Sequence, residues 1–166
     1  MVTISLYLSF TLLSQGFNLA IEIAKNAMQN PKDRKPRKII IKSLTSERSF
    51  GEVFDFFENV KNMESGGALK SITKGADGWW ECDTPVGKAK IKTLPNRESG
   101  ILDHIFVGGG IEWNVFVRIV PNQEGSTTTW TFIKPDGLTD DQFEEQLKNF
   151  DIEMVGWKNT LASTHN

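Results

Sequence analysis

The chain has 166 residues, of which 39% are hydrophobic and 24% are charged, and its net charge is −2. This size and composition are typical of one globular domain with a hydrophobic core. The small net charge gives the molecule no general attraction for nucleic acid or for an anionic membrane. The single cysteine, Cys82, excludes an internal disulfide and fits a reducing, cytoplasmic location. One cysteine and two histidines are too few for a usual zinc site, and no other spacing indicates a metal or a cofactor.

Residues 1–36 are predicted to be an appendage to the folded domain. Val2–Leu13 is an apolar and hydroxylic run without charge, shorter than the roughly 20 residues that span a bilayer. A basic stretch follows, in which Pro31 and Pro36 disfavour a regular element. The segment could be an extra helix, a weak membrane-directed segment, or translated sequence upstream of a start at Met28. For the basic stretch, a solvated linker is favoured over contact with lipid or RNA.

The pattern from residue 37 onward predicts one α+β domain over residues 37–164. Lys38–Leu44 is a β-rich run, and Ser46 is a candidate N-cap for a helical region that ends at Glu64–Gly67. The apolar residues of that region recur at helical spacing: Phe50, Val53, Phe54, Phe57 and Val60. About six strands separated by tight turns follow, which is typical of an antiparallel meander.

A long amphipathic helix is predicted over Thr139–Ser163. Its large apolar residues recur at steps of three and four and form one stripe: Phe143, Leu147, Phe150, Met154, Trp157 and Leu161. Thr139 and Gln142 match a capping box at the helix start. Gly156 interrupts the run, because Gly costs about 1 kcal/mol relative to Ala inside a helix. We expect the stripe to cover a sheet, and its part around Met154, Gly156 and Trp157 is a candidate wall of a ligand cavity.

Four strings within residues 38–163 resemble those of a known family. They are Thr84–Gly87, Gly100–His104, Arg118–Ser126 and Leu138–Phe143. With the order of elements, they are similar to the SRPBCC superfamily of START and Bet v 1-like helix-grip proteins, on its polyketide cyclase/dehydrase-like side and in a prokaryotic subgroup. Val86, Ile119 and Leu138–Thr139 are mild departures from the subgroup's pattern.

The resemblance implies a helix-grip fold. In that fold a curved antiparallel sheet of six or seven strands wraps around the long C-terminal helix, with a helical region after the first strand and a hollow between sheet and helix. The resemblance says less about function, because the superfamily includes lipid and hormone binders, aromatase/cyclases, co-chaperones and quinone-binding proteins.

His104 is the candidate catalytic residue. Asp103 and His104 are adjacent in a predicted strand, so they point to opposite faces and cannot form a dyad. We expect His104 to face inward, because it shares its face with Leu102 and Phe106. An imidazole in an apolar cavity could orient or deprotonate a phenol or a β-ketone, and a hydrogen-bonded structural histidine is the alternative. Asp103 is expected to pair with a basic residue such as Arg118.

Large apolar side chains on the strands and the terminal helix are candidate walls of a pocket. The predicted ligand-binding residues are Trp79, Trp113, Trp130, Phe150, Met154 and Trp157. Core packing is the alternative for at least half of the tryptophans. Trp79 and Trp80 are adjacent, so only one of them can face inward.

Three functional hypotheses follow, in this order. The first is a binder of a small hydrophobic or aromatic molecule, held between the sheet and the C-terminal helix. The second is an enzyme of the cyclase/dehydratase kind, acting on a polyketide-like substrate with His104 as acid–base. The third is a co-chaperone-like module that binds a protein through an exposed apolar patch. The sequence leaves open the ligand, the oligomeric state and whether the protein is an enzyme.

Overall fold

The computed structural model describes residues 35–163, so the predicted appendage 1–36 lies almost entirely outside the described residues. The elements in chain order are β1 (Ile39–Ser46), α1 (Phe50–Glu58), a 3-10 helix (Val60–Gly66), β2 (Lys70–Lys74), β3 (Trp79–Thr84), β4 (Gly87–Asn96), β5 (Ile101–Gly108), β6 (Ile111–Asn122), β7 (Gly125–Ile133) and α2 (Asp140–Ser163). Within this range the strands form one seven-stranded antiparallel sheet in the order β1-β7-β6-β5-β4-β3-β2. No helix in it is long and apolar enough to cross a membrane.

Helix α1 begins at a capping box whose N-cap is Ser49, three residues after the predicted N-cap Ser46. The backbone N–H of Glu52 donates to Ser49 Oγ (3.4 Å), and the backbone N–H of Ser49 donates to Glu52 Oε2 (2.9 Å). The prediction of Ser46 as N-cap is wrong, because β1 runs through Ser46 and pairs it with Ser126. Ser49 is the serine that has a glutamate three residues later, as a capping box requires.

Alternate residues of the central strands face the inner side of the curved sheet, which the helices cover. Apart from Ile111 and Pro121 at the ends of β6, the inward residues of β6 and β7 are buried. They are Trp113, Val115, Val117, Ile119, Ser126, Thr128, Trp130 and Phe132. The register aligns them across the strands, with Val117 opposite Trp130. This strict alternation is the signature of a sheet that buries one face.

Helix α2 confirms the predicted C-terminal helix, including its cap. The backbone N–H of Gln142 donates to Thr139 Oγ1 (3.2 Å), and the backbone N–H of Thr139 donates to Gln142 Oε1 (3.0 Å). Its buried residues belong to the predicted stripe: Phe143, Leu147, Trp157 and Leu161. Toward β1, the helix is held by the ion pair of Lys42 with Asp151 (2.7 Å).

Gly156 is the position at which α2 touches the 3-10 helix backbone to backbone. A Cβ at position 156 would overlap the carbonyl oxygen of Ser65 and lie 3.0 Å from Gly66 Cα. Beside this contact, Trp157 Nε1 donates to the carbonyl of Met63 (3.1 Å). The glycine that interrupts the sequence pattern therefore permits the closest packing of the helix.

The C-terminal end of α2 is held by Arg48, which is only 8% exposed. Its Nε donates to the carbonyl of Leu161 (2.7 Å), and its Nη2 donates to the carbonyl of Ala162 (3.1 Å). These carbonyls lie at the negative end of the helix dipole, where a cation is stabilising. The carbonyl of Arg48 in turn accepts a hydrogen bond from Ser126 Oγ (3.0 Å). One residue, through its side chain and its backbone carbonyl, thus joins the β1–α1 corner, β7 and the end of α2.

Candidate functional site

Four of the six predicted ligand-binding residues lie in one packed group of rings, which we call the aromatic cluster. The cluster comprises Phe57, Trp113, Trp130, Phe132, Phe143, Phe150 and Trp157, with ring centroids of contacting pairs 4.8–5.8 Å apart. Most of the pairs are tilted or edge-to-face, the arrangements that aromatic quadrupoles favour. The cluster fills the space between α2 and strands β6 and β7.

Of the adjacent tryptophans, Trp80 faces inward and Trp79 faces outward. Trp80 pairs with the buried Ile91, whereas Trp79 pairs with Lys92. The Nζ of Lys90 lies 4.5 Å from the centroid of a Trp79 ring, a cation–π contact on the outer face. Trp80 therefore replaces Trp79 as the pocket candidate. The alternation of a strand requires one inward residue but does not say which of two tryptophans it is.

The inner face of β3, β4 and β5 is covered less completely than that of β6 and β7. Its inward residues Trp80, Thr93, His104 and Phe106 are only partly buried, whereas its inward residues Cys82, Ala89, Ile91 and Leu102 are buried. The register places Thr93 opposite His104, and His104 opposite Val115 of β6. Helix α2 packs mainly against the 3-10 helix and β1. Accessible surface therefore remains between β3–β5 and the helix.

We call this region the inner site. Its sheet side is formed by Trp80, Thr93, His104 and Phe106, and the partly buried Phe150 and Met154 of α2 pack against the same hydrophobic core. Phe150 also belongs to the aromatic cluster, so the cluster borders the inner site. Met154, another predicted ligand-binding residue, is partly buried against the core.

His104 faces inward, as the sequence predicted. Protein surrounds the ring closely, yet the residue keeps some accessible surface, as expected of a side chain that borders an internal space. Burial lowers the pKa of His104 from 6.5 to about 4, so the imidazole is neutral at neutral pH. Its Nδ1 lies 3.4 Å from the carbonyl oxygen of Leu102, and no other hydrogen bond to it occurs within residues 35–163. With the proton on Nδ1, Nε2 can accept a hydrogen bond from a bound molecule.

Asp103 lies on the outer face and pairs with Arg118, which confirms the predicted partner. Its Oδ1 accepts hydrogen bonds from Arg118 Nη1 and from the backbone N–H of Val117 (2.8 Å). Asp103 therefore joins β5 to β6 and takes no part in the inner site.

Glu153 is a partly buried polar residue of α2, next to Gly66 of the 3-10 helix, that the sequence analysis did not single out. On α2 it lies between the inward residues Phe150, Met154 and Trp157 and the contact residue Gly156. At about 100° per residue, its side chain leaves the helix at the seam between the 3-10 helix and the sheet. Burial alone raises the pKa of Glu153 from 4.5 to about 7. Among the described residues no donor bonds to its carboxyl group. In the sequence it looks like one more acid of the polar helix face, and only its position beside Met154 could have marked it.

Neither the Cys82 thiol nor the metal-binding residue types form a further reactive site in the part of the chain that the structure describes. The Cys82 thiol is buried, its Sγ lies 3.6 Å from the carbonyl oxygen of Ala89, and burial raises its pKa, so it is a poor nucleophile. Between residues 35 and 163 no group of three His, Cys, Asp or Glu side chains could hold a metal ion.

A surface groove of about 740 Å³ lies elsewhere, at the corner between the end of β1, the β6–β7 turn and the end of α2. It is lined by Thr45, Ser46, Glu47, Arg48, Asn122, Gln123, Glu124, Gly125, Lys158 and Ala162. These residues are mostly polar, and Arg48 is engaged with α2. The groove has neither the apolar walls of the inner site nor its partly buried imidazole.

Comparison with known proteins gives the fold. No family model and no curated protein sequence matches the chain. A conserved protein from Geobacillus kaustophilus is 13% identical, with a TM-score of 0.63 over 78% of this chain and 98% of that one. The protein XoxI from Bacillus cereus is 8% identical, with a TM-score of 0.63 over 77% and 98%. Ara h 8.0201 is 14% identical, with a TM-score of 0.59 over 76% and 99%.

The chain has the Bet v 1-like helix-grip fold. The seven-stranded curved sheet, the earlier helix and the long C-terminal helix all match, as the sequence predicted. At these identities the likeness concerns the fold and not the activity.

Proposed function

We propose that the protein binds a small hydrophobic or aromatic molecule in the inner site. The observation that carries the proposal is the partial exposure of four inward residues on β3–β5, namely Trp80, Thr93, His104 and Phe106, beside the buried inward residues in the middle of β6 and along β7. Ligand sites are mostly apolar hollows with a few polar groups, and the inner site has this character. Membership of the SRPBCC superfamily belongs to the same proposal and is supported by the fold and the four sequence strings. A reducing, cytoplasmic location is also part of the proposal, and the free, buried Cys82 supports it.

The apolar walls would supply most of the binding free energy. Trp80 and Phe106 would contact the ligand from the sheet, and Phe150 and Met154 from the helix. Burying about 250 Å² of apolar ligand surface contributes roughly 6 kcal/mol before the entropic cost of association, so weak to moderate affinity is expected. Trp113, Trp130 and Trp157 would act through the aromatic cluster, which sets the boundary of the site. His104 would orient the ligand through one hydrogen bond.

The test is to fill the inner site with a larger side chain and to compare the affinity of that variant for a probe with the affinity of a variant that carries the same substitution outside the site. N-phenyl-1-naphthylamine, a neutral probe whose fluorescence rises in apolar surroundings, is titrated into the full chain. We expect saturable binding, an at least tenfold loss of affinity in Thr93→Phe, and none in Thr73→Phe, whose residue is exposed on β2. Circular dichroism checks that both variants fold. Absence of saturable binding, or equal binding by both variants, contradicts the proposal.

The second candidate is a cyclase/dehydratase on a polyketide-like substrate. It is favoured by Glu153, because a carboxyl group with a pKa near 7 suits acid–base chemistry at neutral pH. His104, the predicted acid–base residue, has a pKa near 4 and would be a weak base there, so we propose it as a hydrogen-bonding group in this reaction. Mass spectrometry of an aromatic β-ketone incubated with the protein would detect loss of water. Turnover should disappear in Glu153→Gln, and no turnover by the unmodified chain contradicts this candidate.

The third candidate is a co-chaperone-like protein-binding module. It is favoured by exposed apolar side chains on the strands: Ile39 (53%), Ile41 (63%), Leu94 (50%), Phe116 (39%) and Val120 (49%). The register aligns Ile41 with Thr131 and Phe116 across three strands of the outer face. If this face binds a protein, Ile41→Lys should abolish that interaction and leave the affinity for the naphthylamine probe unchanged. The polar neighbours of this face place this candidate third.

A further inference from the structure

Lys74, the last residue of β2, lies on the inner face of the sheet at the edge of the inner site. The register pairs it with Trp80, which faces inward and belongs to the sheet side of that site. Its Nζ lies 5.8 Å from the centroid of the Trp80 ring, a cation–π contact. Lys74 is exposed, so its ammonium group stands where the inner site meets solvent.

The acidic groups of the elements that adjoin β2 are turned away from Lys74 or already engaged. Strand β2 packs against β3 and the 3-10 helix. On β3, Glu81 and Asp83 lie on the outer face, because they alternate with the inward residues. On the 3-10 helix, Glu64 accepts a hydrogen bond from the backbone N–H of Ile72 (2.6 Å).

The ammonium group of Lys74 therefore keeps its donor capacity. Within residues 35–163 it takes part in no ion pair and no hydrogen bond, and its one described partner is the Trp80 ring. A lysine ammonium group has three N–H donors and no acceptor. These donors are free for water or for an acceptor on a bound molecule.

An apolar row leads from Lys74 across the inner face. The register runs from Lys74 to Trp80, then to Ile91 and to Phe106, one residue from each of β2–β5. At a strand spacing of about 4.8 Å, the backbone of Phe106 lies about 14 Å from that of Lys74 along the sheet. Ile91 is buried, whereas Trp80 and Phe106 are partly buried. The row thus has a cation at its solvent end and apolar side chains after it.

We infer that the ligand of the inner site is an apolar molecule with a carboxylate group at one end, and that Lys74 selects it. This inference rests on the proposed function. The hydrocarbon part lies along Trp80 and Phe106, and the carboxylate accepts a charge-assisted hydrogen bond from the Lys74 ammonium group. The carboxylate stays at the solvent boundary and keeps part of its hydration, so its charge costs little to bind. An amine of the same length meets a like charge and is disfavoured.

The molecule contains a matched control on the opposite face of the sheet. Trp79 is adjacent to Trp80 in β3 but faces outward, and the Nζ of Lys90 lies 4.5 Å from the centroid of its ring. Changing Lys74 or Lys90 to glutamine removes the same charge and the same kind of ring contact. A general effect of net charge would appear in both variants, whereas a contact with the ligand would be lost only at Lys74.

The experiment displaces N-phenyl-1-naphthylamine from the full chain with octanoate, octylamine or octanol at neutral pH. Octanol reports the apolar contacts alone, so each affinity is expressed relative to it. We expect octanoate to displace the probe at a concentration roughly fivefold lower than octylamine, as one charged contact at the surface predicts. Lys74→Gln should remove this preference, Lys74→Glu should reverse it, and Lys74→Arg and Lys90→Gln should retain it.

The outcomes separate this inference from the proposed function. If the probe binds but octylamine competes as well as octanoate, or if Lys74→Gln and Lys90→Gln change the preference equally, the inference is overturned and the proposed function stands. If neither the probe nor any competitor binds, the proposed function fails and the inference fails with it. Circular dichroism checks folding, and should the Lys74 variants not fold, the comparison of octanoate with octylamine on the unmodified chain decides.

Discussion

Two halves of the same inner sheet face differ in how they are filled. On β6 and β7 the inward side chains are buried beneath the aromatic cluster, with Trp130 only 2% exposed. On β3–β5 four inward side chains, including His104 and Phe106, keep accessible surface, whereas others such as Ile91 and Leu102 are buried. The polar groups differ as well, because the second half contains the His104 imidazole, whose pKa burial has lowered to about 4.

Within this one sheet face, the packed half contributes mainly to stability, whereas the partly open half is available for binding. A close-packed half gains the dispersion and hydrophobic contributions that hold the helix on the sheet. A half that is left open can hold a ligand, and polar groups that would destabilise a packed core are tolerated there. Changes in the two halves should therefore have different consequences, which gives three ways to test the comparison.

The largest expected effect is the loss of Trp130. Trp130→Ala should lower the free energy of unfolding by about 3–5 kcal/mol, because it leaves a large cavity beside the rings of Phe57, Phe150 and Trp157. The matched change in the open half, Trp80→Ala, should cost about 1–2 kcal/mol, because that side chain is already partly exposed. Urea unfolding followed by circular dichroism measures both. Equal losses would show that the two halves are packed alike.

The next effect is on the pH dependence of stability. The folded chain holds His104 neutral, so the unfolded chain binds more protons between about pH 4 and 6.5, and His104 makes stability rise with pH there. Glu153 acts in the opposite direction, because its raised pKa makes the folded chain bind more protons between about pH 4.5 and 7, so stability falls as pH rises. Each effect amounts to about 3 kcal/mol at most.

The contributions of His104 and Glu153 to the pH dependence of stability have opposite signs and largely cancel. Each one can therefore be measured only when the other residue is replaced. Glu153→Gln should leave a chain whose stability increases from about pH 4.5 to 6.5, and His104→Asn should leave one whose stability decreases over that range. Urea midpoints at four pH values measure the slopes. Parallel slopes in the two variants would mean that these groups are not enclosed as described.

The smallest effect is expected at the contact that positions α2 between the two halves. Gly156→Ala should lower the free energy of unfolding by about 1–3 kcal/mol, because the new methyl group meets the Ser65 carbonyl. Helix propensity alone predicts a gain of about 1 kcal/mol for the same change, so the sign of the result is decisive. Val155→Ala, at a position that is 60% exposed, is the control and should change stability by less than about 0.5 kcal/mol.

Local signals predicted most of the fold. The stripe from Phe143 to Leu161 and the box of Thr139 with Gln142 are set by neighbours within a few residues, and both are present. The N-cap of α1 was misplaced, because two serines lie close together and the strand claims the first of them. The inward orientation of His104 followed from the residues that share its face.

The candidate site was harder to predict, because its content depends on contacts between distant elements. The sequence marks Trp113, Trp130 and Trp157 as large and inward, but their mutual contacts decide that they fill space rather than line it. Glu153 has the sequence surroundings of a surface acid. Its enclosure arises because the 3-10 helix approaches α2 at Gly156, a contact between residues far apart in the chain.

The hydrogen bonds from Arg48 to the last turn of α2 have a consequence for shortening the protein. Termini usually tolerate shortening, because few contacts hold them. Here the carbonyls of Leu161 and Ala162 are acceptors for an enclosed guanidinium group, so a protein cut before Leu161 would lose two acceptors of a buried cation along with the last turn of the helix. Truncation experiments should therefore treat Leu161 and Ala162 as part of the folded structure of α2.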